Sequence, residues 1–311
     1  MSPPSADPPA TVPLADPADY TRLLTFVSEP RSESYPFIDP AKSDLSGRSA
    51  LITGASQGLG ETLALAFARA GCDRIAILAR SVEGINAVAE RTRETAKTAG
   101  HDATPNVMAI PVDVTVEDQV RTAVEQVTAS FGGTLDILVN NAGMLEENHL
   151  VGESDADNWW NAWQVNMQGT HVVTKHCLPA LLASTLRTVV NMTSGMGLML
   201  TRGYSAYGAS KMALCRYTEL LVLEYAARGL VAFAFEPGLA ETRMAGQLHP
   251  ELAVLPRDHP SLVPDSVLWL VRERREWLSG RIVSARWDLE EVAERREQIV
   301  EKDLLKFKVA L

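Results

Sequence analysis

The sequence pattern with the clearest chemical potential is a tyrosine followed four positions later by a lysine, Tyr207 and Lys211. Residues four apart share a face of a helix, so the ammonium of Lys211 is expected beside the phenol of Tyr207. A phenol ordinarily titrates near ~10, and a neighbouring cation lowers its pKa toward the working range of a general acid–base. Ser194 lies thirteen residues before Tyr207 and is expected to hold a substrate oxygen. Singly each residue is common on a helix face or at a strand end, but together they predict an acid–base site.

A second candidate site is a glycine-rich turn with the sequence TGASQGLG. Glycines allow the backbone to approach a pyrophosphate closely, and the helix that follows offers free N–H groups to that anion. Glycines between a strand and a helix are a weak indication alone, but this is the first strand–helix turn of the chain, where alternating folds bind dinucleotides. The residues expected to bind the dinucleotide here are Thr53, Gly54, Ser56, Gln57, Gly58, Leu59 and Gly60.

The elements that must position these residues are short apolar segments that alternate with longer amphipathic ones. Continuously apolar segments predict strands buried on both faces, at 49–54, 74–80, 106–114, 135–143, 188–194, 230–238 and 280–287. Amphipathic segments predict helices at 58–71, 83–99, 116–131, 154–184, 205–228 and 264–278. The alternation predicts an α/β fold, a doubly wound parallel sheet of about seven strands with helices on both faces.

The two ends of the chain have a different composition from its centre. Residues 1–45 are interpreted as an N-terminal arm, whose Pro-, Ala- and Asp-rich first part (1–19) is expected to be disordered. Residues 46–311 are expected to form one catalytic domain. The charged segment 288–310, after the last strand, predicts a solvated surface helix.

The motifs and their order resemble the classical short-chain dehydrogenase/reductase family. The glycine turn has that family's T-G-x-x-x-G-x-G spacing, and N-N-A-G follows at 140–143. Asn166 lies in the next helix, Y-x-x-x-K spans 207–211, and P-G-x-x-x-T spans 237–242. The resemblance covers roughly residues 46–287 and implies a Rossmann-type fold.

The resemblance also implies a reaction and the residues that perform it. Tyr207 would be the proton donor or acceptor, Ser194 would orient the substrate, and Lys211 would hold the nicotinamide ribose. Asn166 would position a water for proton relay. Further residues that would bind the cofactor are Asp113, Val114, Asn140, Asn141, Ala142, Gly143, Pro237, Gly238 and Thr242, with Tyr207 and Lys211.

The end of the second predicted strand indicates which cofactor is used. An acidic residue there would select NAD through the ribose hydroxyls, but the position holds Ala79. Arg80 and Ser81 can instead bind a 2′-phosphate, which favours NADP(H). Only one of the family's two usual basic contacts is present, since the other position holds Gln57, and Arg80 can also be read as a solvated surface residue. Asp113 fits the family's adenine contact, with helix capping near Thr115 as the alternative.

The substrate side is less specific. Residues 195–199 follow Ser194, residues 144–149 (which include His149) follow N-N-A-G, and a proline-containing segment at 239–263 resembles a lid. Their apolar character favours a bulky, fairly nonpolar alcohol or ketone, while a single loop histidine such as His149 is more often simply solvated. The long arm and C-terminal extension resemble fungal members of the family, many of which serve secondary metabolism.

Other classes of function are less compatible with the sequence. A net charge of −10 without a basic stripe argues against nucleic-acid binding. Three distant cysteines and six scattered histidines predict neither disulfides nor a metal site. No membrane span or secretory signal is expected, and the cytoplasm is the default location.

The alternative function is a catalytically silent dinucleotide-binding regulator on the same fold, which would be expected to lack Tyr207, Lys211 or Ser194. Epimerisation or dehydration is a third possibility, typical of longer members with another glycine motif.

The expected assembly is a homodimer, with a tetramer as the alternative. The family often dimerises through the two long helices, here 154–184 and 205–228. Their apolar stripes include Trp159, Trp163, Val172, Val173, Leu214, Leu221 and Leu223. Tetramers of the family often use the last strand as a second interface. The charged C-terminal helix is expected to cover the edge of that strand and so block the tetramer interface.

Overall fold

The computed structural model of the protein describes residues 23–100, 104–253 and 257–308. Its centre is a seven-stranded sheet in which all neighbouring strands run parallel. The strands are β1 (Ser49–Thr53), β2 (Arg74–Ala79), β3 (Asn106–Pro111), β4 (Ile137–Asn140), β5 (Thr188–Met192), β6 (Val231–Glu236) and β7 (Arg281–Ser284). Each lies within its predicted segment, and the predicted fold class is confirmed.

The strand order is β3-β2-β1-β4-β5-β6-β7. The chain moves outward from β1 to β3 and then returns across β1 to start β4. The strand order therefore reverses between β1 and β4, which opens a crevice at the carboxyl ends of these two strands. The glycine turn after β1 and the N-N-A-G segment after β4 both lie at this crevice.

Helices cover both faces of the sheet. They are α1 (Gly58–Arg69), α2 (Val82–Thr98), α3 (Glu117–Ser130), α4 (Ala156–Trp163), α5 (Thr170–Ala183), α6 (Ser205–Tyr225), α7 (Pro250–Ala253), α8 (Leu262–Val271), α9 (Leu289–Glu294) and α10 (Arg296–Glu301). Helices α1, α2 and α8 share one apolar core with one face of the sheet, which we call the main core. Helices α3 and α5 contribute to a second core. Burial of aliphatic side chains on both faces explains why the strands are continuously apolar.

The predicted helix at 154–184 is interrupted in the structure. A π-helical turn, Gln164–Gly169, separates α4 from α5. Such turns insert a residue into a helix and are frequent at functional sites. A Cβ on Gly169 would lie 2.6 Å from Cγ2 of Val114, so the glycine lets the start of α5 approach the chain after β3. The helix predicted at 264–278 also ends early, at Val271.

The expectation of a single solvated C-terminal helix is wrong. The segment forms two short helices, α9 and α10, and Leu289, Val292 and Ile299 are fully buried in the main core. The C-terminal segment has a narrow apolar face, which was difficult to recognise among its many charged residues. The segment after α10 then follows β7, where the N–H of Ile282 donates to the carbonyl of Leu305 at 2.9 Å. The edge of β7 is therefore covered by this segment, and not by a helix.

The described part of the N-terminal arm packs on the body next to α9. Val27, Ile38 and Leu45 are buried in the main core. The hydroxyl of Tyr35 accepts the N–H of Leu289 at 2.6 Å. Residues 1–19, expected to be disordered, lie outside the described residues, and the division of the chain into an arm and one domain stays a prediction.

Candidate active site

The crevice is formed where the turn after β1 meets the turn after β4. Gly54 has a φ of +66°, and a Cβ on it would lie 2.7 Å from Cα of Ala142. The Thr53 hydroxyl accepts the backbone N–H groups of Asn141 and Ala142, both at 3.1 Å. Only glycine tolerates this backbone conformation and this approach, so the first glycine of the motif fixes the distance between the two turns.

The side chain of Asn141 strengthens the same contact. Its amide nitrogen donates to the carbonyls of Thr53 and Gly54, at 2.9 and 3.1 Å. A Cβ on Gly60 would lie 2.6 Å from that nitrogen, so the last glycine of the motif makes room for the asparagine. Asn141 and Gly60 thus hold the shape of the crevice from behind.

The amino end of α1 points into the crevice. Gln57 occupies the N-cap position and makes no side-chain capping hydrogen bond. The first N–H groups of a helix have no partner within the helix, and they carry its partial positive charge. The glycine cradle and this helix end together fit the pyrophosphate of a dinucleotide.

A cavity of about 500 Å³ extends from this turn to Tyr207. The predicted residues that line it are Gly54, Ser56, Gln57, Gly58, Leu59, Arg80, Ser81, Asp113, Val114, Asn141, Ala142, Gly143, Tyr207, Lys211, Pro237 and Thr242. A volume of this size suits an extended cofactor, or a cofactor part and a small substrate.

Several predicted cofactor residues lie behind the wall of the cavity. The amide nitrogen of Asn140 donates to Asn191 and Thr174 within the buried interior, at 2.8 and 2.9 Å. Thr53 and Gly60 form the supporting contacts described above. Gly238 has a φ of +72°, and a Cβ on it would lie 2.5 Å from a carboxylate oxygen of Asp258. These residues shape the site without lining it.

Other residues that line the cavity were not among the predicted cofactor-binding residues. They are Ala79, Gly84, Val112, Met144, Val165, Met192, Thr193, Arg243 and Met244. Met144, Arg243 and Met244 lie in segments assigned to the substrate side, and Ala79 is the position used to choose the cofactor. Thr193 directly precedes Ser194 and Val165 directly precedes Asn166, so adjacency to a motif was the available signal, whereas Gly84 had no such signal.

Tyr207 and Lys211 line the inner end of the cavity, and Ser194 lies beside Tyr207 without lining the cavity itself. Ser194 is hydrogen-bonded to the Tyr207 side chain, and Nζ of Lys211 lies 5.7 Å from the centre of the Tyr207 ring. Lys211 also donates to the carbonyl of Met192, at the end of β5, at 2.8 Å. A Cβ on Gly197 would lie 2.8 Å from the carbonyl carbon of Lys211, so the turn after Ser194 packs directly on α6. This packing holds Ser194 beside Tyr207.

Asn166 lies in the π-helical turn and is fully buried. Its side-chain oxygen accepts the N–H of Met144 at 2.8 Å, and its nitrogen donates to the carbonyl of Met144 at 2.9 Å. The nitrogen also donates to the Ser210 hydroxyl at 3.0 Å. The side chain therefore ties the loop after β4 to α6, next to the other three catalytic candidates.

Burial dominates the electrostatics of this site. It raises the pKa of Tyr207 to about 12, with the charges of Glu146 and Glu236 adding to the rise and the hydrogen bond with Ser194 opposing it. Burial also lowers the pKa of Lys211 to about 8. The net shift in the pKa of Tyr207 is therefore upward in the chain by itself, and the lowering of this pKa by Lys211 stays a prediction.

Known proteins match this chain over most of its length. The family model of the short chain dehydrogenases matches residues 48–253. The short chain dehydrogenase mpl6 of Monascus purpureus is 41% identical over 289 residues, which are 93% of this chain and 97% of the relative. The short chain dehydrogenase pigC of Monascus ruber is 36% identical over 300 residues, 95% of this chain and 96% of the relative. The chain belongs to the short-chain dehydrogenase/reductase family.

A solved structure supports the same conclusion at the level of the fold. The short-chain type dehydrogenase/reductase from Mycobacterium marinum has a TM-score of 0.67 and 26% sequence identity. The match covers 78% of this chain and 94% of that protein. Members of the family are oxidoreductases that bind a nicotinamide dinucleotide and act on alcohol or carbonyl groups of small molecules.

The region expected to distinguish the dinucleotides in this dehydrogenase lies at the start of α2. Arg80 is exposed at the mouth of the cavity, and the Ser81 hydroxyl accepts the N–H of Gly84 at 3.1 Å as the cap of α2. Burial raises the pKa of Asp113, but hydrogen bonds from Thr115 and the charge of Arg80 outweigh it, so the net shift is downward. Asp113 therefore lines the cavity and closes a turn with Thr115, but it does not cap α3, whose N-cap residue is Val116 and has no side-chain capping hydrogen bond.

The opposite side of Tyr207 is apolar. Tyr204, Tyr207 and Leu252 form a buried cluster, with Leu145, Met196, Met244 and Leu248 packed against it. The two tyrosines belong to the start of α6. The other side chains come from the loops after β4 and β5 and from the predicted lid. His149 is half exposed beside Glu147, with 3.5 Å between Nε2 and a carboxylate oxygen, as expected for a solvated histidine.

Among the residues that the structure describes, no helix is both long and apolar enough to cross a bilayer. Within the same residues, no group of three or more His, Cys, Asp or Glu side chains is placed to hold a metal ion.

The contact between the β1 and β4 turns can be tested at Thr53. Thr53→Val keeps the shape but leaves the N–H groups of Asn141 and Ala142 without their acceptor, at a cost of about 1–3 kcal/mol. We expect a lower urea midpoint and weaker cofactor binding, measured by unfolding and by fluorescence titration. Thr53→Ser retains the hydroxyl and should resemble the wild type. Wild-type stability and affinity in Thr53→Val would contradict this role.

Proposed function

We propose that this dehydrogenase is an NADP(H)-dependent oxidoreductase that interconverts a ketone or aldehyde and an alcohol. The observation that carries the proposal is the placement of Tyr207 and Lys211 in the wall of the cavity, with Ser194 hydrogen-bonded to Tyr207. The proposed catalytic residues are these three and Asn166. The glycine cradle and the amino end of α1 would hold the cofactor pyrophosphate.

In the reductive direction, the Ser194 hydroxyl donates a hydrogen bond to the carbonyl oxygen of the substrate. Tyr207 gives its phenolic proton to that oxygen as the carbonyl becomes an alcohol, and solvent later returns a proton to the phenolate. A nicotinamide cofactor would supply the hydride to the carbonyl carbon and would carry a positive charge once oxidised. Oxidation of an alcohol reverses each step, with Tyr207 as the base.

Lys211 and Asn166 have supporting roles in this proposal. Lys211 would hold the nicotinamide ribose, because its buried Nζ faces the cavity and needs polar partners besides the carbonyl of Met192. A Cβ on Gly143 would lie 3.4 Å from Oδ1 of Asn166 and 3.5 Å from Nζ of Lys211, so both polar atoms border the same backbone position. This proximity supports a relay in which a water positioned by Asn166 returns protons by way of Lys211.

The raised pKa of Tyr207 has a consequence for the direction of proton transfer. A pKa of about 12 keeps the phenol neutral at neutral pH, which is the form that a reduction requires. The phenolate that an oxidation requires forms at higher pH, or when positive charge approaches the ring. We therefore expect reduction to be favoured at neutral pH and oxidation to gain rate as the pH rises.

The choice of NADP(H) rests on Arg80 and on the missing acidic residue. Ala79, the last residue of β2, cannot accept hydrogen bonds from the ribose hydroxyls through its side chain. Arg80 is exposed at the cavity mouth and carries the positive charge that a 2′-phosphate needs. The N–H groups at the start of α2 add partial positive charge on the same side.

The substrate is proposed to be a bulky and fairly apolar metabolite. The support is the apolar cluster around Tyr207, to which the loops after β4 and β5 and the predicted lid contribute. Such a wall stabilises an aliphatic or aromatic group and offers little to a charged one. The fungal relatives fit a role in secondary metabolism, in the cytoplasm. The silent-regulator alternative is not favoured, because all three residues that it should lack are present and placed together.

The proposed assembly is a homodimer. Of the predicted stripes, Val172, Val173, Leu214 and Leu221 are buried within the protomer and are not available for an interface. Four apolar side chains of α4 and α6 are exposed: Leu223, which belongs to the predicted stripes, at 79%, Trp160 at 56%, Met212 at 48% and Leu220 at 46%. The edge of β7 is occupied by the C-terminal segment, which disfavours a second interface there.

The role of Tyr207 predicts a selective loss of turnover. Tyr207→Phe should bind NADPH as the wild type does and lose nearly all activity, because proton transfer contributes about 10²–10⁴-fold in rate. Activity is measured as NADPH consumption with acetophenone, phenanthrenequinone, acetone and pyruvate, the first two being apolar. Tyr225→Phe, which removes a phenolic hydroxyl at the far end of the same helix, is the control and should retain turnover. A near wild-type kcat in Tyr207→Phe would exclude this assignment.

The cofactor preference predicts an asymmetric effect at Arg80. A charge-assisted hydrogen bond contributes about 1.5–3 kcal/mol, roughly 10- to 100-fold in affinity. Arg80→Ala should weaken NADPH binding by about that factor and leave NADH binding nearly unchanged, as measured by fluorescence titration. Equal losses for both cofactors would show that Arg80 does not bind the phosphate.

The proposed dimer predicts a stable species of twice the protomer mass in light scattering. Leu223→Asp should shift it toward monomer by placing a charge in the interface, while Val300→Asp, at an exposed position of α10, should not. A tetramer that persists on dilution would show that the C-terminal segment does not block the second interface.

A further inference from the structure

Glu146 is a buried carboxylate to which the motifs assign no role. It lies in the loop after β4, three residues beyond Gly143, and is only 5% exposed. Its partners are backbone N–H groups at the start of α6, sixty residues away in the sequence. Ala206 donates to Oε1 at 2.7 Å, and Tyr207 donates to Oε1 at 3.1 Å and to Oε2 at 2.9 Å.

This carboxylate acts as the cap of the catalytic helix. The N-cap residue of α6, Tyr204, makes no side-chain capping hydrogen bond. The first N–H groups of a helix need acceptors, and a negative charge at this end interacts favourably with the helix dipole. A distant residue therefore supplies what the local sequence of α6 lacks.

The same loop holds Tyr207 from its other side. The Ser210 hydroxyl donates to the carbonyl of Tyr207 at 2.9 Å and accepts from Asn166 at 3.0 Å. Asn166 in turn binds both backbone polar groups of Met144. The N–H and the carbonyl of Tyr207 are thus both connected to the stretch from Met144 to Glu146, which continues the wall of the cofactor cavity.

We propose that Glu146 is a positioning residue, whose carboxylate holds the first turn of α6 against the loop after β4 and so keeps the Tyr207 hydroxyl at the reacting oxygen. The inference rests on the proposed function, since it assigns Glu146 to the same reaction. Small displacements of a catalytic group are costly, because the reacting atoms must meet at a defined distance and angle.

The charge of Glu146 has a second, separable effect. The Tyr207 phenol interacts with Ser194 by a hydrogen bond and with Glu146 and Glu236 through their charges, and Nζ of Lys211 lies 5.7 Å from the ring centre. Glu146 and Glu236 both raise the pKa of the phenol, since a negative charge disfavours the phenolate. Removal of the charge of Glu146 lowers that pKa, so the alkaline decline of the reduction rate moves to lower pH.

Three variants separate position from charge. Glu146→Ala removes the acceptor and the charge, Glu146→Gln keeps an oxygen acceptor but loses the charge, and Glu147→Gln makes the same charge change at the exposed neighbour. Rates are measured with NADPH and phenanthrenequinone over a range of pH and divided by the fraction of chains that bind NADPH. This division removes the effect of unfolded protein.

We expect kcat of Glu146→Ala to fall about 10- to 100-fold, with little change in the KM for NADPH. Glu146→Gln should recover most of kcat but show the alkaline decline at lower pH, and Glu147→Gln should match the wild type in both. A wild-type kcat in Glu146→Ala, or a wild-type pH profile in Glu146→Gln, would overturn the proposal. If Glu146→Ala does not fold, the pH profile of Glu146→Gln tests the proposal by itself.

Amide hydrogen exchange tests the cap without turnover. The N–H groups of Ala206 and Tyr207 should exchange slowly in the wild type and in Glu147→Gln, and much faster in Glu146→Ala. Equally fast exchange in the wild type would show that the cap does not form and would overturn the inference. Absence of turnover by the wild type with every carbonyl compound would instead overturn the proposed function, while the exchange result would still stand.

Discussion

The approach of Gly54 to Ala142 is the constraint on which the site depends. It brings the turns after β1 and β4 into contact at the point where the strand order reverses. The Thr53 hydroxyl and the Asn141 amide then satisfy the backbone groups that this approach would otherwise leave unpaired. Because buried backbone groups without partners are costly, the three residues form one unit with the glycine turn. The crevice that results has its width set by backbone contact and not by flexible side chains.

The position of the catalytic helix follows from this crevice. The chain that leaves β4 passes along the cavity wall and then binds α6 twice, through Asn166 and Ser210 and through Glu146. Lys211 adds a third connection, to the end of β5. The helix that carries Tyr207 is therefore oriented relative to the cofactor cavity by buried, charge-assisted or amide hydrogen bonds, which are directional and short. Rigidity of this kind is what a proton donor requires.

The electrostatics of the site show why the cofactor and the chain must be considered together. Burial excludes water from Tyr207 and Lys211 and shifts both toward their neutral forms, the phenol upward in pKa and the ammonium downward. Two carboxylates add to the shift of Tyr207. The protein by itself thus favours the protonated phenol that the proposed reduction requires. In the proposed oxidation, the positive charges of Lys211 and of the oxidised cofactor would favour the phenolate.

The sequence by itself determined the sheet and predicted the central residues of the proposed site. Continuous apolar segments are sufficient to place parallel strands, because burial on both faces leaves no alternation, and the spacing of Tyr207 and Lys211 depends only on helix geometry. Tertiary structure decided the rest. The predicted long helix is interrupted by a π-helical turn, from which Asn166 forms hydrogen bonds to the loop after β4. In the C-terminal segment, the many charged residues made the apolar positions that become buried, Leu289, Val292 and Ile299, difficult to recognise in the sequence. Glu146 could not be identified from its surroundings in the sequence, since its partners lie sixty residues away. Local patterns report periodicity and composition, whereas contacts between distant segments depend on how those elements pack, and in this protein such contacts hold the proposed catalytic groups in place.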